Sequence, residues 1–236
     1  MLRQGYTGEM PVRWPREPCQ NAPMIDPYCE RVAPGLLAEP LNALTNLAFL
    51  VAAFMAWRLA VRRNVLDRST GCLVLLVGAI GVGSFLFHTF ATGWALAADV
   101  IPILLFQVCF LWVYSARVLG LGIVARIASA VALIAAIHLA GRHPDLLNGS
   151  VGYLPALLTL ILLGTAHWWW QAVEPRLLLT ASGVLALSLA ARTADLTVCA
   201  ALPVGSHFLW HLFNGVVLYL VMRALLLNLT PPKAVP

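Results

Sequence analysis

Charge is scarce in this chain. Lysine, arginine, aspartate and glutamate make up 11% of its 236 residues, against 61% hydrophobic residues. Soluble domains carry about a quarter charged residues. So few charges cannot cover so much apolar surface in water, which excludes a soluble fold in favour of an integral membrane protein. Basic clusters with interleaved aromatics are also missing. The one dense run, Arg58 to Arg68, sits between two apolar stretches, so the net charge of +5 reads as a cytoplasmic loop, not as a nucleic-acid surface. No basic-then-apolar start with a small-residue cleavage site is present, so no removable signal peptide is expected. The five cysteines lack the spacing of a zinc ribbon or a redox CxxC. There is no internal repeat, and no polar stretch after residue 41 is long enough for a second domain.

What is present begins with a polar segment, residues 1–41, expected to lie outside the membrane. Pro11, Pro15, Pro18, Pro23, Pro27 and Pro34 forbid a long helix there. Its acidic residues come late, at Asp26, Glu30 and Glu39, and Pro40 suits a first helical turn. Residues 42–230 then hold seven apolar stretches, at 42–61, 71–91, 95–116, 122–140, 151–171, 177–197 and 206–227. Each is close to the roughly 20 residues that cross a bilayer core. The expected fold is an all-α bundle of seven transmembrane helices. The sixth stretch loses its apolar character after Ala191. Arg192 and Asp195 follow at i, i+3, where the two side chains can neutralise each other.

Loop charges set the expected orientation. Arg58, Arg62, Arg63, Arg68, Arg117, Arg126, Arg176, Arg223 and Lys233 fall on one side, and only Arg142 and Arg192 on the other, leaving the N-terminal segment aside. The first side is therefore cytoplasmic, with the N-terminus outside and the C-terminus inside. Alanine- and leucine-rich helices with short loops point to a bacterial inner membrane.

That topology brings five polar residues to one depth, in the outer third of the bilayer: Ser84 and His88, Asp99, and His207 and His211. Ionisable groups inside a membrane are functional-site candidates by default. Ser84 and His88 are four apart and share a helix face, as do His207 and His211. An i, i+4 histidine pair can bind one metal ion from a single helix. A third histidine from another helix leaves the fourth tetrahedral position open, as in catalytic zinc sites. Zinc polarises a carbonyl and acidifies its water. Asp99 is placed to act as general base, and Ser84 to donate to a developing oxyanion. His138, His143 and His167 lack a partner at ligand spacing or lie in a loop, and read as structural. Trp168, Trp169 and Trp170 read as an interfacial belt, and Gln107 and Asn214 as packing contacts. Cys29 and Cys199 both fall on the outer side, where a disulfide is permitted, and Cys19 is the competing partner. Cys72 and Cys109 read as small apolar residues within helices.

These residues resemble the alkaline ceramidase family, part of a wider group of seven-helix membrane hydrolases that includes adiponectin-receptor-like proteins. The resemblance rests on Gly83-Ser84-x-x-x-His88 with Asp99, on His207-x-x-Trp210-His211, on Tyr28-Cys29-Glu30, on Glu39-Pro40-x-Asn42 and on Asp195-x-x-x-Cys199. It implies an intramembrane zinc amidase that cleaves ceramide to a sphingoid base and a fatty acid. By the same resemblance, zinc is held by His88, His207 and His211, Ser84 and Asp99 are catalytic, and Cys29 pairs with Cys199. It also implies a calcium ion on Asp26, the Tyr28 carbonyl, Glu30 and Glu39, since hard oxygen ligands suit calcium. The sequence departs from that last pattern: Arg31-Val32 stands where an asparagine is expected, and Pro27 is an extra residue. The competing expectations are a seven-helix lipid receptor or lipid-binding protein with structural zinc and no turnover, and a haem-binding electron carrier.

Overall fold

The structure is a computed structural model that describes residues 25, 27–170 and 172–230. Helices α1 (Pro40–Thr45) and α2 (Leu47–Arg62) form the first span, broken at Asn46. Five more follow in α3 (Arg68–Phe90), α4 (Gly93–Arg117), α5 (Ile123–Ala140), α6 (Leu154–Trp169) and α7 (Leu177–Val198), and α8 (His207–Leu227) is the seventh. Each is long and apolar enough to cross a membrane. The bounds follow the hydropathy of the chain to within a few residues, because a helix in lipid must satisfy every backbone group internally. One difference is the fifth span. A 3₁₀ segment, Leu146–Tyr153, leads into α6, with Leu147 and Asn148 at positive φ, and Pro155 then fits the first helical turn.

Helix α8 is the most buried of the bundle and α5 the least, with Leu133 its one buried residue. Helix α2 turns a stripe of small residues inward: Ala52, Ala56 and Ala60, spaced by four. Small side chains let α2 lie close against α3 and α8. Lipid-facing positions keep large apolar groups exposed, such as Leu75, Val124 and Leu162.

Each end of the bundle is closed by polar contacts. At one end Asp67 caps α3 by accepting from the Ser69 and Thr70 N–H groups, and Arg117 from the end of α4 donates to its other oxygen at 2.5 Å. Glu174 pairs with Arg223 at the same end. At the other end Ile25 and residues 27–39 contact the helices. Ile25 N–H donates to the Ala91 carbonyl at 2.9 Å, and a disulfide joins Cys29 to Cys199. Cys19 and Asp26 lie outside the described residues.

Arg192 and Asp195 do not neutralise each other as their spacing led us to expect. Both Asp195 oxygens accept from backbone N–H groups, and Arg192 donates to the Tyr28 hydroxyl at 2.6 Å. The orphan N–H groups at the start of α8 attract the carboxylate more strongly than a neighbour on its own helix does.

Candidate metal centre

Helices α3 and α4 carry the first half of the site. Pro102 inside α4 has no N–H to offer the Ala98 carbonyl one turn earlier. Gly83 of α3 lies against that carbonyl, where any Cβ would overlap it. The close approach brings the next residue of each helix, Ser84 and Asp99, near one another. His88 follows one turn beyond Ser84, on the same face.

Helix α8 carries the second half. Asp195 of α7 fixes its start by accepting from Ser206 N–H at 2.6 Å and His207 N–H at 2.8 Å. Its other oxygen accepts from Cys29 N–H at 3.0 Å, so one carboxylate ties the N-terminal segment to α7 and α8. Gly205 has φ +66° and lies directly against this carboxylate, where a Cβ would not fit. His207 and His211 then occupy the first two turns of α8.

The three histidines expected as ligands come together. One ligand atom from each of His88, His207 and His211 lies within 4.8 Å of the others, and all three residues are buried. Their ring centroids are 4.7 to 5.2 Å apart. The hydrogen bonds around them fix which nitrogen is free. His88 Nδ1 lies 2.6 Å from Glu39 and donates to it, which leaves Nε2 for the site. Thr45 spends its one hydroxyl proton on the Leu41 or Asn42 carbonyl, so His211 Nδ1 is the donor in their 2.9 Å contact. His211 Nε2 and His207 Nδ1 are buried with no hydrogen-bond partner. Buried nitrogens left unpaired are costly. Three imidazoles offering lone pairs to one point fit a zinc ion, and the carboxylate or hydroxyl behind two of them matches the outer contacts that orient zinc-bound histidines.

Around this core, Tyr28 stacks on His207 with centroids 3.6 Å apart. Burial pushes the Tyr28 phenol up, so it stays protonated. Arg192 reaches over the rings of Tyr28, Tyr153 and Trp210. Asp99 is within electrostatic reach of both His88 and Arg192.

The residues expected to hold calcium have other partners. Glu30 accepts from Leu41 N–H at 2.6 Å and Asn42 N–H at 2.8 Å, capping α1. Glu39 accepts from Arg31 at 2.6 Å, from His88 and from Asn42 at 3.1 Å. Burial pushes the Glu39 carboxyl up, but the His88 contact, then those of Arg31 and Asn42, outweigh it and hold the group below its ordinary range.

Thr45, Arg192 and the link from Glu39 to His88 were not read from the sequence as parts of the site. Thr45 left a signal, as a hydroxyl inside an apolar span. The Glu39 link left none, because its partner lies 49 residues away. His167 is buried between the Tyr114 hydroxyl and the Glu174 carbonyl, in the structural role expected of it.

An apolar cavity begins one turn below this cluster. Ile80 of α3 and Ile103 of α4 line its upper part, with Trp210 and Asn214 of α8, and it continues to Leu111 and Val221. At 1.5 Å per residue, the run from Trp210 to Val221 is about 16 Å long.

Comparison with known proteins bears on most of the chain. No match is found among curated proteins. A family model described as Ceramidase matches residues 26–230. That range includes every residue of the histidine cluster and its supports, and the chain belongs to the ceramidase family.

Proposed function

We propose that this protein is a zinc-dependent amidase that cleaves the N-acyl bond of ceramide, releasing a sphingoid base and a fatty acid. Membership of the ceramidase family implies hydrolysis of the amide bond of ceramide. The observation that carries the finer reading is the cluster of three buried imidazoles, two with unpartnered nitrogens, at the head of an apolar cavity. His88, His207 and His211 are the zinc ligands in this reading. Zinc bound there supplies Lewis acidity towards water and an amide carbonyl.

The chain's own groups do the rest. Asp99 takes a proton from the attacking water and delivers it to the departing nitrogen as the carbon–nitrogen bond breaks. Ser84 is one helix turn from His88, on the same face. From there its hydroxyl can donate to the carbonyl oxygen as negative charge develops. Apolar walls from Ile80 to Val221 accept a hydrocarbon chain of the substrate and exclude water. The site end faces the outer side in this reading, which the disulfide at that end supports. Calcium is not required by any of these steps.

The test is lipid mass spectrometry of purified protein incubated with ceramides of varied chain length. Fatty acid and sphingoid base should appear in equal amounts, with about one zinc per chain as catalytic sites hold. A receptor or lipid-binding protein of this scaffold would bind ceramide and release neither product.

A further inference from the structure

Arg31-Val32 stands where the resemblance expects an asparagine, and Arg31 donates to Glu39, one of the residues expected to hold calcium. We propose that its guanidinium is a built-in cation that positions Glu39, and through Glu39 the His88 imidazole, so that this chain works without calcium. The proposal rests on the reading of His88 as a metal ligand.

Four contacts carry it. Arg31 Nε donates to Glu39 at 2.6 Å, and a second arm donates to the His88 carbonyl at 2.8 Å. A third arm reaches the Gly35 carbonyl at 3.2 Å. The other Glu39 oxygen accepts from His88 Nδ1 at 2.6 Å. Arg31 therefore holds His88 twice, once at its backbone and once at its ring. Arg31 is 4% exposed and Glu39 1%, so the pair is shielded from water and salt. A planar fork fixes directions in a way that a point charge does not.

Among the described residues, the donor set suits a guanidinium better than calcium. Calcium takes six to eight oxygens at about 2.3–2.6 Å. Here both Glu30 oxygens are committed to the start of α1, and Glu39 already binds one full positive charge. The residue after Arg31 is Val32, which has no side-chain oxygen. Arg31 is thus a positioning residue, remote from the reacting atoms.

The experiment uses the full chain in detergent. Equilibrium dialysis against radioactive calcium should show no binding at about 1 mM, the weak end of calcium sites. Stoichiometric calcium binding would overturn the proposal whatever the amidase result. The zinc site is then loaded with cobalt(II), whose visible absorption reports on the ligand histidines. Arg31→Ala should weaken cobalt affinity by about 10- to 100-fold, as the loss of outer-shell support does. It should also shift the absorption band, while Arg31→Lys recovers part of both. Unchanged affinity and spectrum in Arg31→Ala would overturn the positioning role. If Arg31→Ala does not fold, the lysine variant and the calcium dialysis still decide. A wild-type protein that takes up no cobalt and releases no fatty acid would refute the amidase reading and with it the positioning role. The calcium dialysis would then still decide whether Arg31 takes the place of that ion.

Discussion

The two ends of the bundle hold buried histidines in opposite states. At one end His167 has both ring nitrogens engaged, one with Tyr114 and one with the Glu174 carbonyl. At the other, His207 and His211 each keep a buried nitrogen with no partner, beside a third histidine. All four rings are almost fully shielded from solvent. Burial therefore does not separate a structural histidine from a ligand. The unpaired nitrogen does, because a fold that gains nothing from leaving it bare is expected to satisfy it.

The sharpest way to break this comparison is to remove a ligand. His88→Ala is expected to lose bound zinc and fatty-acid release together, to below detection in metal analysis and lipid mass spectrometry. Next comes Asp99, the base in the proposed reaction. Asp99→Asn should keep its zinc and lose about 10²- to 10⁴-fold in turnover, the usual contribution of general acid–base catalysis. Full turnover in that variant would remove Asp99 from the reaction. Gly83→Ala tests the helix contact that brings Ser84 to Asp99. A methyl group forced against the Ala98 carbonyl should cost about 1–3 kcal/mol by overpacking, with reduced activity and zinc retained.

At the opposite end the same kind of change should touch stability alone. His167→Phe leaves the Tyr114 hydroxyl unpaired and should cost about 1 kcal/mol, with zinc content and turnover unaltered. The smallest effect belongs to Asp67. Burial pushes its carboxyl up, but the Thr70 N–H and the Arg117 guanidinium outweigh this and hold it low. A depressed carboxyl stabilises above its unfolded pKa, near about 3.9, and that gain is lost as pH falls through the lower folded value. Asparagine still caps the helix, so Asp67→Asn loses only the exposed ionic contact with Arg117 and should be less stable than wild type at neutral pH by about 0.5 kcal/mol. The gap should close in acid.

Hydropathy made the seven spans legible, because a continuous apolar stretch of about 20 residues in lipid satisfies its backbone groups within itself as a helix. The cluster was legible too, since i, i+4 spacing and loop charges together placed Ser84, His88, Asp99, His207 and His211 at one depth. The supports were harder to read. Asp195 is four residues from Cys199 in sequence, yet its carboxylate spans three segments by gathering the N–H groups of Cys29, Ser206 and His207. Arg192 lay at salt-bridge spacing from it and turned instead to Tyr28. Local spacing says which side chains can meet, and backbone groups elsewhere in the fold decide which ones do. The break at Asn46 and the 3₁₀ segment before α6 escaped for the same reason, as neither leaves a mark in hydropathy.

X-ray absorption at the zinc edge on the purified protein reaches the centre of the account. One zinc per chain with three imidazole nitrogens at about 2.0–2.1 Å is the predicted result. A protein without zinc, or a shell containing sulfur at about 2.3 Å, would contradict it.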